Sequence, residues 1–535
     1  MENATIAERL DAFALLLELA EANPFGVRAY RRAAELVRTT PAPVAELARA
    51  GRLRELRGIG AGIEARIREL VETGRIAELD ELERTVSPEV VGFGRFLGLG
   101  ARRSLAIARD LDLRTAQDFR NAIESGRVAE ASGVGSKTVE RLRAALARPP
   151  EAGRRTIRLD RALALSDRLA AAVGGAPAGD ARRGHEAPER LAVVAATTDA
   201  PASVARFAAS PDVVAVLDSR TDGALGVTAD GLPVELVLAP PAAAGTALLR
   251  ATGSPAYVAA LEPLPDAPTE QAVYEALGIP FRPPELREEP SRDAPPALLE
   301  LTDLRGDLHC HTTWSDGRAT VLELGEAARA RGYEYVAVCD HTPSVRVVPG
   351  VDADGLRRQG EEIAAANERL APFRILRGAE CDILPDGSLD LPDDILFELD
   401  WVTASVHAGQ RTPRAELTHR VTEAIRHPAV RALSHPTGRL LGRRPPNALD
   451  LEETVAVALE TGVALEVNGL PDRLDLSGEH VRLALEAGAR IVVNTDAHSI
   501  RGLGNIELAV STARRGGARP ADVVNTRPLA ELLRR

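Results

Sequence analysis

His309 and His311 in GDLHCHTTWSDG stand two apart, a spacing that in an extended strand turns both imidazoles to one face and Cys310 to the other. Asp316 follows five residues beyond His311 and can reach back from the loop. The same kind of side chain closes one apolar run after another: His341 after YEYVAVCD, Glu380 in FRILRGAECDI, His407 in LDWVTASVHA, His435 in AVRALSHP, and Asp496 with His498 in ARIVVNTDAH. Six of the ten histidines fall at such ends. Six imidazoles with Asp316, Glu380 and Asp496 make nine donors. Carboxylates offset the charge of divalent cations and neutral imidazoles complete their shells, so nine donors suit three ions, with Mn, Zn or Fe as candidates. A lone His at a strand end is more often a packed residue than a ligand. Nine are not, because each unsatisfied buried polar group costs roughly 1 to 3 kcal/mol.

The chemistry such a cluster supports is attack on phosphorus by a water whose pKa the cations lower toward neutrality. Asp316 and His341 therefore count as catalytic candidates as well as ligands. Arg346, Arg439 and Arg473 follow or sit among the ligand loops, and a guanidinium matches phosphate bidentately. Chance placement is the plain alternative in a chain with 66 Lys+Arg of which only Lys137 is lysine. No GxSxG elbow is present, which argues against a serine nucleophile.

The elements that must bring these residues together are readable in outline. From Leu301 onward short apolar runs alternate with amphipathic stretches, the pattern of a parallel α/β barrel, and such a barrel gathers its active site at the C-terminal ends of its strands. Residues 155 to about 290 carry β-like runs such as RLAVVAAT and LPVELVLA, fitting an α+β domain. EEPSRDAPPALLE reads as a linker. Residues 1 to about 150 show helical periodicity broken by Gly58-Ile59-Gly60, Gly98-Leu99-Gly100 and Gly133-Val134-Gly135. One such turn is ordinary. Three, each leading into a helix with a cation near its start, suggest backbone amides at helix N-termini that grip phosphates without reading bases.

Composition bounds the rest. With 535 residues and a net charge of -12, several domains and no uniformly basic coat are expected. Residues 1 to 150 hold 24 Lys+Arg against 22 Asp+Glu, leaving 42 against 56 in the remainder, so the acidity lies with the carboxylate-rich C-terminal part. Cys310, Cys339 and Cys381 show no CxxC spacing, consistent with a reducing compartment. The opening residues read as an amphipathic helix rather than a signal peptide, and no run of 18 apolar residues occurs. A cytoplasmic monomer is expected.

HxH, Asp-His, Glu380-x-Asp382, the isolated His407, SHPTGR, EVNG and TDAH follow the order of the PHP (polymerase and histidinol phosphatase) domain, which residues 302–535 resemble. That resemblance implies a distorted (β/α)7 barrel with a trinuclear metal site, and all nine ligand positions are filled. GDLHCHTTWSDG, GAECDILPDGSLD and NTDAHS look most like the PHP domain of bacterial family X DNA polymerases. The remainder fits that family: 1–85 as a helical, polymerase-beta-like domain with a helix-hairpin-helix, 86–150 as a second helix-hairpin-helix domain, 151–290 as an α+β nucleotidyltransferase-like palm and thumb remnant, and 291–301 as the linker. Arg66 stands where lyase-active relatives carry a Schiff-base lysine, and it has no deprotonated amine to offer. Along GDARRGHEAPERLAVV the family's two metal-binding aspartates fall at Arg190 and Ala192, the third carboxylate at Glu235, and Asp180 replaces a phosphate-binding serine. A cation and a methyl cannot hold the ions of nucleotidyl transfer. The expectation is a DNA-binding, metal-dependent phosphoesterase acting at 3' ends, with an inactive polymerase core. The alternatives are a small-molecule phosphatase, a non-enzymatic DNA-binding scaffold, and an active polymerase.

Overall fold

The computed structural model describes residues 1, 3–40, 42–56, 58–147, 156–345 and 348–534. The chain separates into two compact units, one comprising residues 1–155, 169–175 and 189–238, the other 156–168, 176–188 and 239–535. The stretch 151–290 is thus shared between them.

In the first unit, helices α1 (Asn3–Leu19), α2 (Pro24–Thr39), α3 (Val44–Arg49), α4 (Ala61–Thr73) and α5 (Ala77–Thr85) enclose one apolar core around Leu10, Phe13, Val37 and Ile67. Helices α6 (Pro88–Phe96), α7 (Ala101–Leu111), α8 (Ala116–Glu124) and α9 (Ser136–Ala147) enclose another around Phe93, Phe119 and Leu142. The three Gly-x-Gly turns lead into α4, α7 and α9. Gly58, Gly98 and Gly133 have φ of +113°, +82° and +70°, values that L side chains avoid, so glycine is required to turn the chain into each helix.

The three-residue strand β1 (Ala176–Ala178) belongs to the second unit. In the first unit β2 (Leu191–Ala196), β5 (Pro233–Ala239), β4 (Gly223–Val227) and β3 (Ala215–Arg220) lie side by side in that order, with β3–β4 and β4–β5 antiparallel.

The second unit is dominated by a parallel seven-stranded sheet, β6 (Gly306–Cys310), β7 (Tyr335–Val338), β8 (Arg374–Asp382), β9 (Trp401–Ser405), β10 (Val430–Leu433), β11 (Ala464–Asn468) and β12 (Ile491–Asn494), each pairing with its neighbours in sequence. A parallel bridge between Cys310 and Ala497 nearly closes it into a barrel. Strands covered on both faces need apolar residues on both, which explains the continuous runs in the sequence. Alternation then sorts them. Val338, Ile375, Ala379, Val402, Leu465 and Val493 pack outward against helices, whereas Ala337, Leu376, Trp401, Ala464 and Val492 form an inner layer. Steps of two along the inner face of β8, β11 and β12 lead from apolar to polar: Leu376 by way of Gly378 to Glu380, Ala464 to Glu466, and Val492 to Asn494. No described helix is long and apolar enough to cross a membrane.

Candidate metal centre

The nine donors singled out in the sequence meet at the C-terminal ends of the barrel strands. Glu380 is fully buried at their centre. Its Oε2 lies 2.9 Å from His341 Nδ1 and 3.4 Å from His309 Nε2, and its Oε1 lies 2.9 Å from His435 Nε2 and 3.3 Å from His407 Nε2. Asp496 Oδ1 is 3.1 Å from His311 Nε2, and Asp316 Oδ2 is 3.2 Å from His498 Nε2. Three overlapping groups have donor atoms within 4.8 Å of one another and could each hold a cation: His309, His311 and Asp496; His341, Glu380 and His407; and His311, Asp316, His341 and His498. His435 joins through Glu380.

The donor set fits metal ions. Nε2 of His309, both ring nitrogens of His311, Nδ1 of His341, Oε2 of Glu380, and Nδ1 of His407 and of His435 are buried without a hydrogen-bond partner. So many orphaned polar atoms at one point would be costly in a finished apolar core. The electrostatics agree. Burial disfavours the charged form of His309, yet Glu466, Glu380 and Asp496 outweigh it and hold its pKa well above the usual value. Burial likewise opposes charge on His407 and His498, but neighbouring carboxylates raise them to about 10 and about 9. Glu380 stays well below the carboxylate range because His407, His309 and His341 overcome its burial. Burial instead keeps His311, down at about 4, and His435 below the usual value, so the carboxylates favour cations at some of these imidazoles and neutral nitrogens at others. His435 and Asp496 have φ of +25° and +53°, uncommon for side-chain-bearing residues and tolerated where surrounding structure enforces them.

Several buried polar residues that the sequence reading did not assign orient the donors. Glu466 accepts hydrogen bonds from His435 N at 2.8 Å and Asn494 Nδ2 at 2.9 Å while facing His309 Nδ1. Asp382 accepts from His407 N at 3.1 Å. Asp340 stands beside the cluster without joining it: Thr312 N, Ser315 Oγ and Gln359 Nε2 donate to it at 2.7, 2.5 and 2.6 Å, fixing the loop after His311. The signal was available, since a carboxylate inside an apolar strand such as ALEVN must be compensated.

The arginines separate. Arg473 lines the cleft of about 280 Å³ that opens onto Asp316, His341, Glu380 and His435, with Nε 3.9 Å from Asp496 Oδ2. Arg439 turns instead to backbone, donating to the carbonyls of Arg473 (2.9 Å) and Leu474. Arg346 lies outside the described residues. A larger cleft of about 480 Å³, with Val345, Ile383, Leu384 and Pro385 among its walls, meets this group of side chains at His407.

In the helical region, Gly60 and Gly100 are the N-cap residues of α4 and α7 and supply no side-chain cap. The three turns differ in their surroundings. Glu21 has placed its carboxylate at the start of α7, where it accepts from Ala101 N at 3.1 Å and pairs with Arg102 at 3.2 Å. A carboxylate is favoured there for the same reason a phosphate would be, because amides and helix dipole both point at it. At the third turn, Arg103 donates to the carbonyl of Gly133. Arg66 is engaged by Glu69 and Glu78.

Where the resemblance led the polymerase carboxylates to be expected, Arg190 is 4.0 Å from Glu235, and Ala192 is buried in β2. Within the second unit, Arg183 pairs with Asp180 at 2.7 Å and Glu288 at 3.0 Å, and Arg182 holds Glu270 through two contacts of 2.8 and 2.7 Å. These guanidiniums are satisfied by the chain's own carboxylates.

Comparison with known proteins agrees with this geometry. A helix-hairpin-helix domain model matches residues 1–76. The chain is 32% identical to the DNA polymerase/3'-5' exonuclease PolX of Bacillus subtilis (strain 168), over 99% of each protein. Its C-terminal part is similar to a protein of Acetivibrio thermocellus named "Probable phosphatase", 32% identical over 36% of this chain and 78% of that protein. It is also similar to one of the same description from Thermoanaerobacter sp. (strain X514), 30% identical over 41% of this chain and 89% of that protein.

Proposed function

This chain belongs to the PolX family of DNA polymerase/3'-5' exonucleases, and from that premise we propose that its working activity is metal-dependent hydrolysis of DNA phosphoesters at 3' ends, with a polymerase core that no longer transfers nucleotides. The observation that carries this reading is the convergence of His309, His311, Asp316, His341, Glu380, His407, His435, Asp496 and His498, with orphaned buried ring nitrogens and Glu380 Oε2 among them, beside a cleft that holds Arg473.

These nine residues would hold the cations, three by the number of donor groups, with Mn, Zn or Fe as the candidates. Bound divalent ions supply Lewis acidity and the activation of water for in-line attack on phosphorus. Glu380 faces imidazoles from both of its oxygens and is the donor best placed to be shared. Asp316 and His341, both of which line the cleft, are the catalytic residues that meet an entering phosphate. Arg473 offers the positive charge for a non-bridging oxygen. In the exonuclease direction the water oxygen bonds to phosphorus, the bond from phosphorus to the penultimate 3' oxygen breaks, and that oxygen leaves protonated. The cleft beside His407 has apolar walls for the base and sugar of the released nucleoside 5'-monophosphate.

The division of labour follows 1–85 and 86–150 as the DNA grip, 151–290 as the palm remnant, 291–301 as linker and 302–535 as the hydrolase, in a cytoplasmic monomer. Gly58, Gly60, Gly133 and Gly135, with Gly98 and Gly100 once Glu21 gives way, bind backbone phosphates irrespective of sequence. The test is hydrolysis of a 3'-labelled oligonucleotide, and of a sugar or amino-alcohol phosphate in parallel, by the full chain with Mn²⁺. Asp316→Ala or His341→Ala should abolish oligonucleotide hydrolysis and leave DNA binding intact. Preference for the small phosphate would reassign the site to small-molecule hydrolysis.

A further inference from the structure

Arg473 sits in the loop between β11 and the helix Gly478–Glu486, and that loop is held by residues far from it in sequence. Leu474, the next residue, has φ of +45°. A side-chain-bearing residue keeps such a conformation only where its surroundings over-determine it. Three contacts do so here. The guanidinium of Arg439 spans the carbonyls of Arg473 and Leu474, which fixes the peptide that carries the Arg473 side chain. Glu186 lies 3.6 Å from Arg439 Nη2 and also accepts from Gly478 N at 3.1 Å, so one buried carboxylate ties both ends of the segment. The Leu474 side chain is fully buried against Leu159 and Leu508, with Leu163 and Leu441 beside them.

Leu159, Leu163 and Glu186 are not barrel residues. They come from 156–168 and 176–188, which belong to the same compact unit as the barrel although their sequence is that of the palm remnant. We propose that Glu186, Arg439 and Leu474 are positioning residues that present Arg473 to the phosphate at the metal centre, so that these pieces of the former palm are working parts of the hydrolase. The proposal rests on the phosphoesterase reading. It accounts for the place of Glu186, whose burial beside Arg439 and Arg515 has no use in a decayed palm, and for the orientation of Arg439 away from the cleft.

The test is a double-mutant cycle on hydrolysis of a 3'-labelled single-stranded oligonucleotide by the full chain with Mn²⁺, with bound metal measured for every variant. Arg473→Ala should lower kcat/KM on the order of ten- to a hundredfold, as expected for loss of one charge-stabilising donor. Arg439→Ala should produce a comparable loss in the wild-type background and less than about a twofold further loss in the Arg473→Ala background, because residues acting as one unit are not additive. Arg439→Lys keeps the charge but cannot span two carbonyls, and should remain impaired. Glu186→Gln is the gentler variant should Arg439→Ala fail to fold, and its loss should likewise vanish when Arg473 is absent. Multiplying losses, or metal content falling with Arg439→Ala or Glu186→Gln, would overturn the proposal. Wild-type protein inactive on the oligonucleotide would instead overturn the phosphoesterase reading beneath it.

Discussion

Nδ1 of His309 and Oε1 of Glu466 lie 2.6 Å apart, both groups fully buried, on the first and sixth strands of the barrel. The contact keeps the Nδ1 proton on the carboxylate side and leaves Nε2 facing Glu380 and Asp496, the orientation a ligand needs.

Glu466→Gln should therefore weaken metal retention by about 10- to 100-fold while leaving all nine donors in place, the usual effect of losing a ligand's orienting partner. Competition against a chromogenic chelator measures it. An unchanged affinity would show that Glu466 is only a packing residue.

Primer extension with deoxynucleotides should yield no product, because Arg190 and Ala192 cannot hold ions and Glu235 faces Arg190 at 4.0 Å. Extension that Glu235→Ala abolishes would place polymerase activity back in this chain.

Removal of the carboxylate at the start of α7 should open a phosphate seat. Glu21→Gln is expected to tighten DNA binding and steepen the dependence of log K on log salt by about 1, the slope of one added phosphate contact. An unchanged slope would mean that DNA never approaches that turn.

Glu270 gives a pH dependence with a definite sign. Its burial raises its pKa, but Arg182 and Arg287 outweigh this and leave it below the usual value. A depressed folded pKa means that the stabilisation is complete above the unfolded-state value of about 4.3 and is lost as pH falls through the folded value. Glu270→Gln leaves the fully buried Arg287 short of its partner, so a loss of about 3 to 5 kcal/mol near neutrality is expected. In urea unfolding that difference should shrink toward zero in acid. A difference independent of pH would refute the linkage.

How far the sequence could be read depended on whether a feature was local. Strand-end His, Asp and Glu residues were legible because period-two alternation within each run already decides which side chains share a face. Glu466 sat in plain view in EVNG, yet its partner is 157 residues away, and no local pattern names it. The carboxylate at the second glycine turn was illegible for a similar reason: it lies 80 residues upstream of the amide it binds.

The sequence by itself determined the barrel and which His, Asp and Glu side chains stand at its strand ends, since apolar periodicity and residue type are properties of short stretches. Only the tertiary structure decided which arginine faces the cleft, which carboxylates orient the imidazoles, and that Leu159 and Glu186 support the loop of Arg473. Those outcomes depend on which distant groups burial forces into contact, and on a backbone turn at Leu474 that no propensity favours.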